Sequence, residues 1–249
     1  MSTEPIIVAG YHGKAPVFGD FVSRGLPHTF IGPWDIWLQE AIHTSRLQLG
    51  DNWLNYYLTS PLYRFVLSSG ICGDSAWMGI IMPSVDKIGR YYPMTIGLKR
   101  LESTNPFMDL QNNGRWFEQA EALALSCLSD SFDVEHFYQQ ICALIPSMDS
   151  QHHDETKPSA YQNELLFPAN CRHPLSSVEA MPELLPSILN NLLKEHTFAY
   201  SVWWTHGSEH VTPSLLVCTG LPPFDGIAAM FDGNWQQWGW EGNRHPIQT

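Results

Sequence analysis

Four charged residues are the first candidates for chemistry, because each lies in a segment that glycine and proline interrupt. They are Asp20 and Arg24 in residues 10–27, and Asp86 and Arg90 in residues 82–93. Two carboxylates beside two arginines are expected to pair, since a guanidinium binds a carboxylate through parallel hydrogen bonds. Two interpretations stay open: an internal clamp that fixes two loops, or a polar patch that contacts a protein partner. Tyr91 belongs to the second interpretation, because Arg and Tyr are enriched at binding hot spots.

An enzymatic alternative uses the same segments. A hydrolase or phosphatase would draw its catalytic groups from Asp20, Asp86, Ser84 or His12. However, Ser and Asp two residues apart commonly cap a turn by bonding to the backbone. The G-x-S-x-G signature of a nucleophile elbow is absent from the sequence. We therefore favour a turn over a catalytic site, and we expect a protein that is not an enzyme.

Neither a phosphate loop nor a metal site fits the spacing of the remaining polar residues. A phosphate loop needs four residues between its glycines and Ser or Thr after its lysine. Here two residues separate Gly10 from Gly13, and Ala15 follows Lys14. The His-His-Asp-Glu run at 152–155 lacks the paired spacing of zinc ligands. We expect no cofactor and no metal.

Charge is distributed unevenly along the chain of 249 residues, whose net charge is −12. Residues 1–115 contain nine Lys or Arg and nine Asp or Glu, whereas residues 116–249 contain four against sixteen. Binding to nucleic acid or to an anionic membrane needs a basic surface, so neither is expected. A basic protein partner would suit the acidic part.

Cysteine usage and the first residues predict the compartment. Five widely spaced cysteines without a C-x-x-C pair indicate reduced thiols in a cytoplasmic protein. The N-terminus lacks the basic and apolar regions of a signal peptide. We therefore expect a soluble intracellular protein.

Hydrophobic periodicity predicts the elements that position these residues. We expect strands at 6–9, 62–67, 76–81, 94–98, 198–204 and 214–218. We expect helices that open at Pro33 and Pro186, and two more that carry the apolar residues of 116–128 and 134–145.

This order of elements predicts an α/β fold: a three-layer α-β-α sandwich with a mixed, partly antiparallel sheet. We expect one domain over 1–249. Residues 1–145 would carry the motifs, 146–181 would form a loop or insertion, and the acidic part at 182–249 would complete the sheet.

The two interrupted segments also carry a resemblance to a known family. From 10 to 98 the sequence resembles the TagF (ImpM) family, accessory proteins of bacterial type VI secretion systems. The matching stretches include Gly10-Tyr11, Gly13-Lys14, Gly19-Asp20-Phe21-Val22, Arg24-Gly25-Leu26-Pro27, Met82-Pro83-Ser84-Val85-Asp86 and Gly89-Arg90-Tyr91.

The resemblance implies a cytoplasmic α-β-α sandwich without known catalytic residues. It implies post-translational repression of the secretion machine, linked to a threonine-phosphorylation pathway and to binding of the forkhead-associated scaffold protein. Some relatives carry a fused phosphatase domain, for which this chain is too short. The expected function is therefore a repressor that acts by binding, with an enzyme or a structural baseplate accessory as the alternatives.

Overall fold

The computed structural model describes residues 8–101, 104–145 and 181–240. Within these ranges the chain forms seven strands and seven α-helices. The strands are β1 (Ala9–Gly13), β2 (Val22–Arg24), β3 (Tyr63–Leu67), β4 (Trp77–Met82), β5 (Met94–Lys99), β6 (Tyr200–Thr205) and β7 (Ser214–Thr219). The helices are α1 (His28–Leu49), α2 (Trp53–Thr59), α3 (Pro106–Asn112), α4 (Gly114–Ser126), α5 (Val134–Ala143), α6 (Met181–His196) and α7 (Ala229–Asp232).

The seven strands form one sheet in the order β2-β1-β5-β4-β3-β6-β7. Every neighbouring pair is antiparallel, so the α/β class is confirmed but the prediction of a mixed sheet is wrong. The helical connections do not join strands that are neighbours in the sheet, and so they create no parallel pair. The segment with α1 and α2 joins β2 to β3, which stand four places apart.

Side chains of the sheet alternate between two buried clusters. On β4, Met78 and Ile80 lie in one cluster and Trp77 and Ile81 in the other. The first cluster includes residues of α4 and α5, and the second includes residues of α1. Because strand neighbours point to opposite faces, helices pack on both sides of the sheet. The stricter assignment to a three-layer sandwich stays a prediction.

A row of three glycines crosses the middle of the sheet beneath α1. Gly10 on β1 pairs with Gly97 on β5, which pairs in turn with Gly79 on β4. A methyl group at Gly79 would overlap the ring of Phe65, and one at Gly97 would lie 3.2 Å from Leu26. The missing side chains leave room for large apolar groups above the central strands.

Several element boundaries differ from the sequence prediction. The first strand runs from Ala9 into the first interrupted segment, and β2 was not predicted at all. The first helix begins five residues before Pro33, because the Pro27 carbonyl accepts the N–H groups of Phe30 and Ile31. Pro186 likewise lies inside α6. The predicted loop or insertion at 146–181 lies outside the described residues, apart from residue 181.

Candidate functional site

Among the described residues, a buried carboxylate that lies between two cations is the polar site with the most complete set of hydrogen bonds. Asp86 Oδ2 lies 2.5 Å from Lys14 Nζ and 2.6 Å from Arg90 Nε. The exposed fraction of the side chain is 0% for Asp86, 5% for Lys14 and 52% for Arg90. The other oxygen, Oδ1, accepts the backbone N–H groups of Ile88 and Arg90 at 3.1 and 2.8 Å. We call Lys14, Asp86 and Arg90 the ion cluster.

A tight turn places the two residues of the second segment together. The Asp86 N–H donates to the Arg90 carbonyl, and the Gly89 N–H donates to the Asp86 carbonyl. Gly89 has φ of +86°, a conformation that favours glycine. Just outside the turn, Val85 and Tyr91 pair through an isolated antiparallel β-bridge, which closes its base. Asp86 therefore caps the turn whose arginine it also binds.

Sheet topology brings the two interrupted segments to the same end of the sheet. Strands β1 and β4 are both antiparallel to β5 between them, so they run in the same direction. The chain leaves both strands at one end, and Lys14 follows the first strand directly. Sequence reasoning weighed Lys14 only as a phosphate-loop lysine and missed it as the partner of Asp86. That contact depends on the placement of β5 between β1 and β4, which local sequence patterns do not give.

Further hydrogen bonds join the two segments through the backbone. The Ser84 hydroxyl donates to the Lys14 carbonyl at 2.7 Å, and the Lys87 N–H donates to the Phe18 carbonyl at 2.9 Å. Arg90 Nη2 also donates to the Gly19 carbonyl. Side-chain and backbone contacts thus fix one segment against the other.

The other two charged residues do not join the ion cluster. Asp20 Oδ1 accepts the N–H of the next residue, Phe21, at 2.8 Å. Arg24 pairs instead with Glu135 on α5, and its guanidinium lies 4.4 Å from the centre of the Tyr138 ring. Strand β2 runs back along β1, which carries Arg24 away from the end where the ion cluster lies.

Electrostatics keep the buried carboxylate ionised. Burial alone would raise the pKa of Asp86, but hydrogen bonds from Lys14, Arg90 and the turn backbone hold it well below its usual range. Both oxygens are occupied by these donors. A carboxylate in this state is a poor base, because its partners stabilise the charged form.

His12, the other candidate base, forms no hydrogen bond with Ser84. Its Nε2 is 4.0 Å from Asp35 Oδ1, too far for a hydrogen bond, and Tyr92 OH donates to that oxygen at 2.6 Å. The imidazole stacks on the Phe21 ring. Burial lowers the pKa of His12, although Asp35 opposes the shift. Neither ring nitrogen has a hydrogen-bond partner among the described residues.

Two features are absent from the described ranges. The described residues include no group of three or more His, Cys, Asp or Glu side chains placed to hold a metal ion. Among the described helices, none has both the length and the apolar character needed to cross a membrane.

Tyr91 lies at the border between the ion cluster and α1. Its ring meets the rings of Trp53 and Tyr57 edge-on, at 5.4 and 5.6 Å between centroids. Arg46 on α1 places its guanidinium 4.2 Å from the centre of the Trp53 ring and 5.9 Å from that of Tyr91. An open groove runs beside these residues, between α1 and the turn.

By fold and site, the chain is an antiparallel α/β protein in which an ion cluster with a fully engaged carboxylate fixes two glycine-interrupted segments. Residues 10–150 match the family model described as the TagF N-terminal domain, type VI secretion system-associated. Because the match covers more than half of the 249 residues, the chain belongs to the TagF family. The resemblance found in the sequence is therefore confirmed.

The solved structures that are similar to this chain include one that matches almost its whole length. PA0076 from Pseudomonas aeruginosa PAO1 is 31% identical in sequence, with a TM-score of 0.73. The similarity covers 97% of this chain and 98% of that one. No curated protein matches the chain.

Proposed function

We propose that this protein is a cytoplasmic, non-enzymatic regulator that represses a type VI secretion system post-translationally. It acts by binding a secretion component, the forkhead-associated scaffold protein. Membership of a type VI secretion-associated family supports the pathway. The ion cluster is the observation that supports binding as the mode of action. Its charged groups bond to one another and stabilise the shape of the two segments, so they are not arranged for catalysis.

The same geometry argues against the enzymatic alternative. The Ser84 hydroxyl donates to a backbone carbonyl, so it is not aligned with a base. Asp86 holds its charge against two cations, and His12 has no hydrogen bond to either residue. A nucleophile requires a base within hydrogen-bond reach, and these three residues do not supply that pair.

Repression by binding would work through occlusion. The bound scaffold protein would no longer reach the secretion machine, and no chemical step is needed. The extent of repression then depends on the concentration of this protein relative to the Kd of the complex. Graded expression should give graded repression, whereas a catalyst would saturate at low levels.

The test combines binding with secretion. We expect the tagged protein to recover the forkhead-associated scaffold from cells, and the purified pair to form a complex of fixed stoichiometry. Raised expression should reduce the release of secreted substrates into the medium without lowering the amounts of secretion proteins inside the cell. Failure to bind any secretion component at micromolar concentration would rule the proposal out.

Two further outcomes would favour the alternatives. Recovery of the protein within the assembled apparatus, rather than in a soluble complex, would indicate a baseplate accessory. Turnover of a phosphorylated or ester substrate that Asp86→Asn abolishes, in a protein that stays folded, would indicate an enzyme.

A further inference from the structure

The groove between α1 and the turn of the second segment combines an aromatic side with two arginines. It has a volume of about 440 Å³ and is open to solvent. Its lining consists of Gln39, Ile42, Arg46, Gly89, Arg90, Tyr91 and Tyr92. The volume lies within the range of pockets that hold a small molecule or a few side chains, roughly 300–1,000 Å³.

Both arginines retain capacity to bind an anion. Arg46 is exposed, and among the described carboxylates it forms no ion pair. Arg90 uses Nε on Asp86 and Nη2 on the Gly19 carbonyl, which leaves Nη1 without a hydrogen bond to the described residues. A chain of net charge −12 thus presents two guanidinium groups at one opening.

Two carboxylates that bond to residues of the groove lining are already occupied. Asp35 accepts hydrogen bonds from Tyr92 and from Gln39, which turns the Gln39 amide toward it. Asp86 is shared between Lys14 and Arg90. The residues that line the groove include two arginines and no carboxylate, in contrast to the acidic chain as a whole.

A purely structural role explains part of this arrangement. Arg46 lies in the last turn of α1, where the helix dipole favours a cation, and it stacks on Trp53. That role accounts for the position of the guanidinium over the indole. It does not account for a second arginine across an open groove, nor for an aromatic side beside both.

We propose that this groove binds an acidic segment of a protein partner, whose carboxylates pair with Arg46 and Arg90 while its apolar atoms pack on Ile42 and Tyr91. The inference rests on the proposed function, since it names the surface through which the regulator would bind. The positive charge of the two arginines in the lining favours an acidic occupant. The Arg and Tyr residues of the lining are also residue types enriched at interface hot spots.

The first experiment needs no natural partner. A peptide of ten glutamates serves as the probe and a peptide of ten glutamines as its control, with binding measured by titration calorimetry at low ionic strength. We expect the glutamate peptide to bind and the glutamine peptide not to bind. Added salt should weaken the affinity, because part of the attraction is screened.

Variants locate the binding. Arg46→Glu should weaken the affinity for the glutamate peptide at least tenfold. Arg115→Glu is the matched control, because Arg115 is an exposed arginine on α4, a helix of the opposite cluster. It should change the affinity less than twofold. If Arg46→Glu does not fold, as judged by near-UV circular dichroism, Arg46→Gln takes its place.

A second arm uses the forkhead-associated scaffold and separates the two proposals. Binding of the scaffold that Arg46→Glu leaves unchanged would overturn the groove as the contact surface, while the proposed function stands. Binding of the glutamate peptide at the groove without binding of the scaffold would overturn the partner instead. Equal losses from Arg46→Glu and Arg115→Glu, or no binding of the glutamate peptide, would overturn the acidic-segment inference.

Discussion

Two groups of ion pairs beside strand β1 show how differently the same residue types behave in one molecule. Just beyond the end of the strand, Asp86 is fully buried between Lys14 and Arg90. Beside the middle of the strand, where Arg24 faces Tyr11, Arg24 and Glu135 join β2 to α5 with both side chains about half exposed. Water surrounds the second pair and screens it, whereas the buried Lys14 and Asp86 side chains depend on the protein for nearly all of their solvation.

The comparison shows that the fold requires the buried pair to stay intact. Once Lys14 is folded beneath the turn, its charge must be matched, because an unpaired buried cation is costly. The exposed pair does not need to be matched in this way, because water solvates either partner when the other is removed. The two sites therefore predict very different responses to substitution.

Removal of the buried carboxylate should have the largest effect. Asp86→Ala leaves Lys14 buried without a partner and removes the cap of the turn. We expect the free energy of unfolding to fall by about 3–5 kcal/mol, as measured by urea denaturation. Adding Lys14→Met should recover part of the loss, because the unmatched charge is gone. A loss below 1 kcal/mol for Asp86→Ala would show that the two sites do not differ as described.

Acid should affect the two sites in different ways. The pKa of Asp86 is lowered in the folded state, so its ionised form contributes stability that is complete above its unfolded pKa of about 3.9. That contribution is lost as the pH falls from there toward the lower folded pKa. The difference in unfolding free energy between the wild type and Asp86→Asn should stay constant at neutral pH and shrink only below about pH 4. A difference that already shrinks between pH 5 and pH 7 would contradict this assignment.

A smaller effect is expected beneath the ion cluster. The Tyr57 hydroxyl accepts the Ser84 N–H at 3.1 Å and donates to the Ser84 carbonyl at 2.8 Å, and both residues are buried. Tyr57→Phe leaves that N–H without its partner, at a cost of about 1–3 kcal/mol. The carbonyl keeps the N–H of Tyr92. Thermal unfolding followed by circular dichroism measures the change, with Tyr56→Phe as the neighbouring control.

The smallest effect should come from the exposed pair. Arg24→Ala should leave the unfolding transition within the error of the measurement, because both partners are solvated when separated. The same result is expected for Glu135→Gln. A large loss from either substitution would place this pair in the same class as the ion cluster.

Much of the fold follows from the local sequence. Runs of apolar residues gave β3, β4 and β5 to within one residue, since each is fully or almost fully buried. Strand β2 has three residues and one buried side chain, so its apolar signal is too weak to find. The helices α1 and α6 extend through their prolines, and the rule that proline opens a helix placed both starts too late.

The candidate site was predictable only in part. The segments that carry it stand out through glycine and proline, and Asp86 and Arg90 lie within a single turn. Lys14 reaches Asp86 across 72 positions of sequence, and that contact depends on strand order. Arg46 and Arg90 likewise meet at one groove only because α1 packs beside the turn. Information of this kind resides in topology and is absent from local patterns.

The row formed by Gly10, Gly97 and Gly79 gives the sheet a trough rather than a flat surface. The backbone of residues 24–26, the Leu26 side chain and the Phe65 ring occupy the space that side chains would fill at these positions. An alanine Cβ at Gly10 would overlap the Arg24 carbonyl oxygen, and one at Gly79 would overlap both the Phe65 ring and the Ile96 carbonyl oxygen. The chain that leads into α1 can therefore lie directly against the sheet only because these three residues lack a side chain.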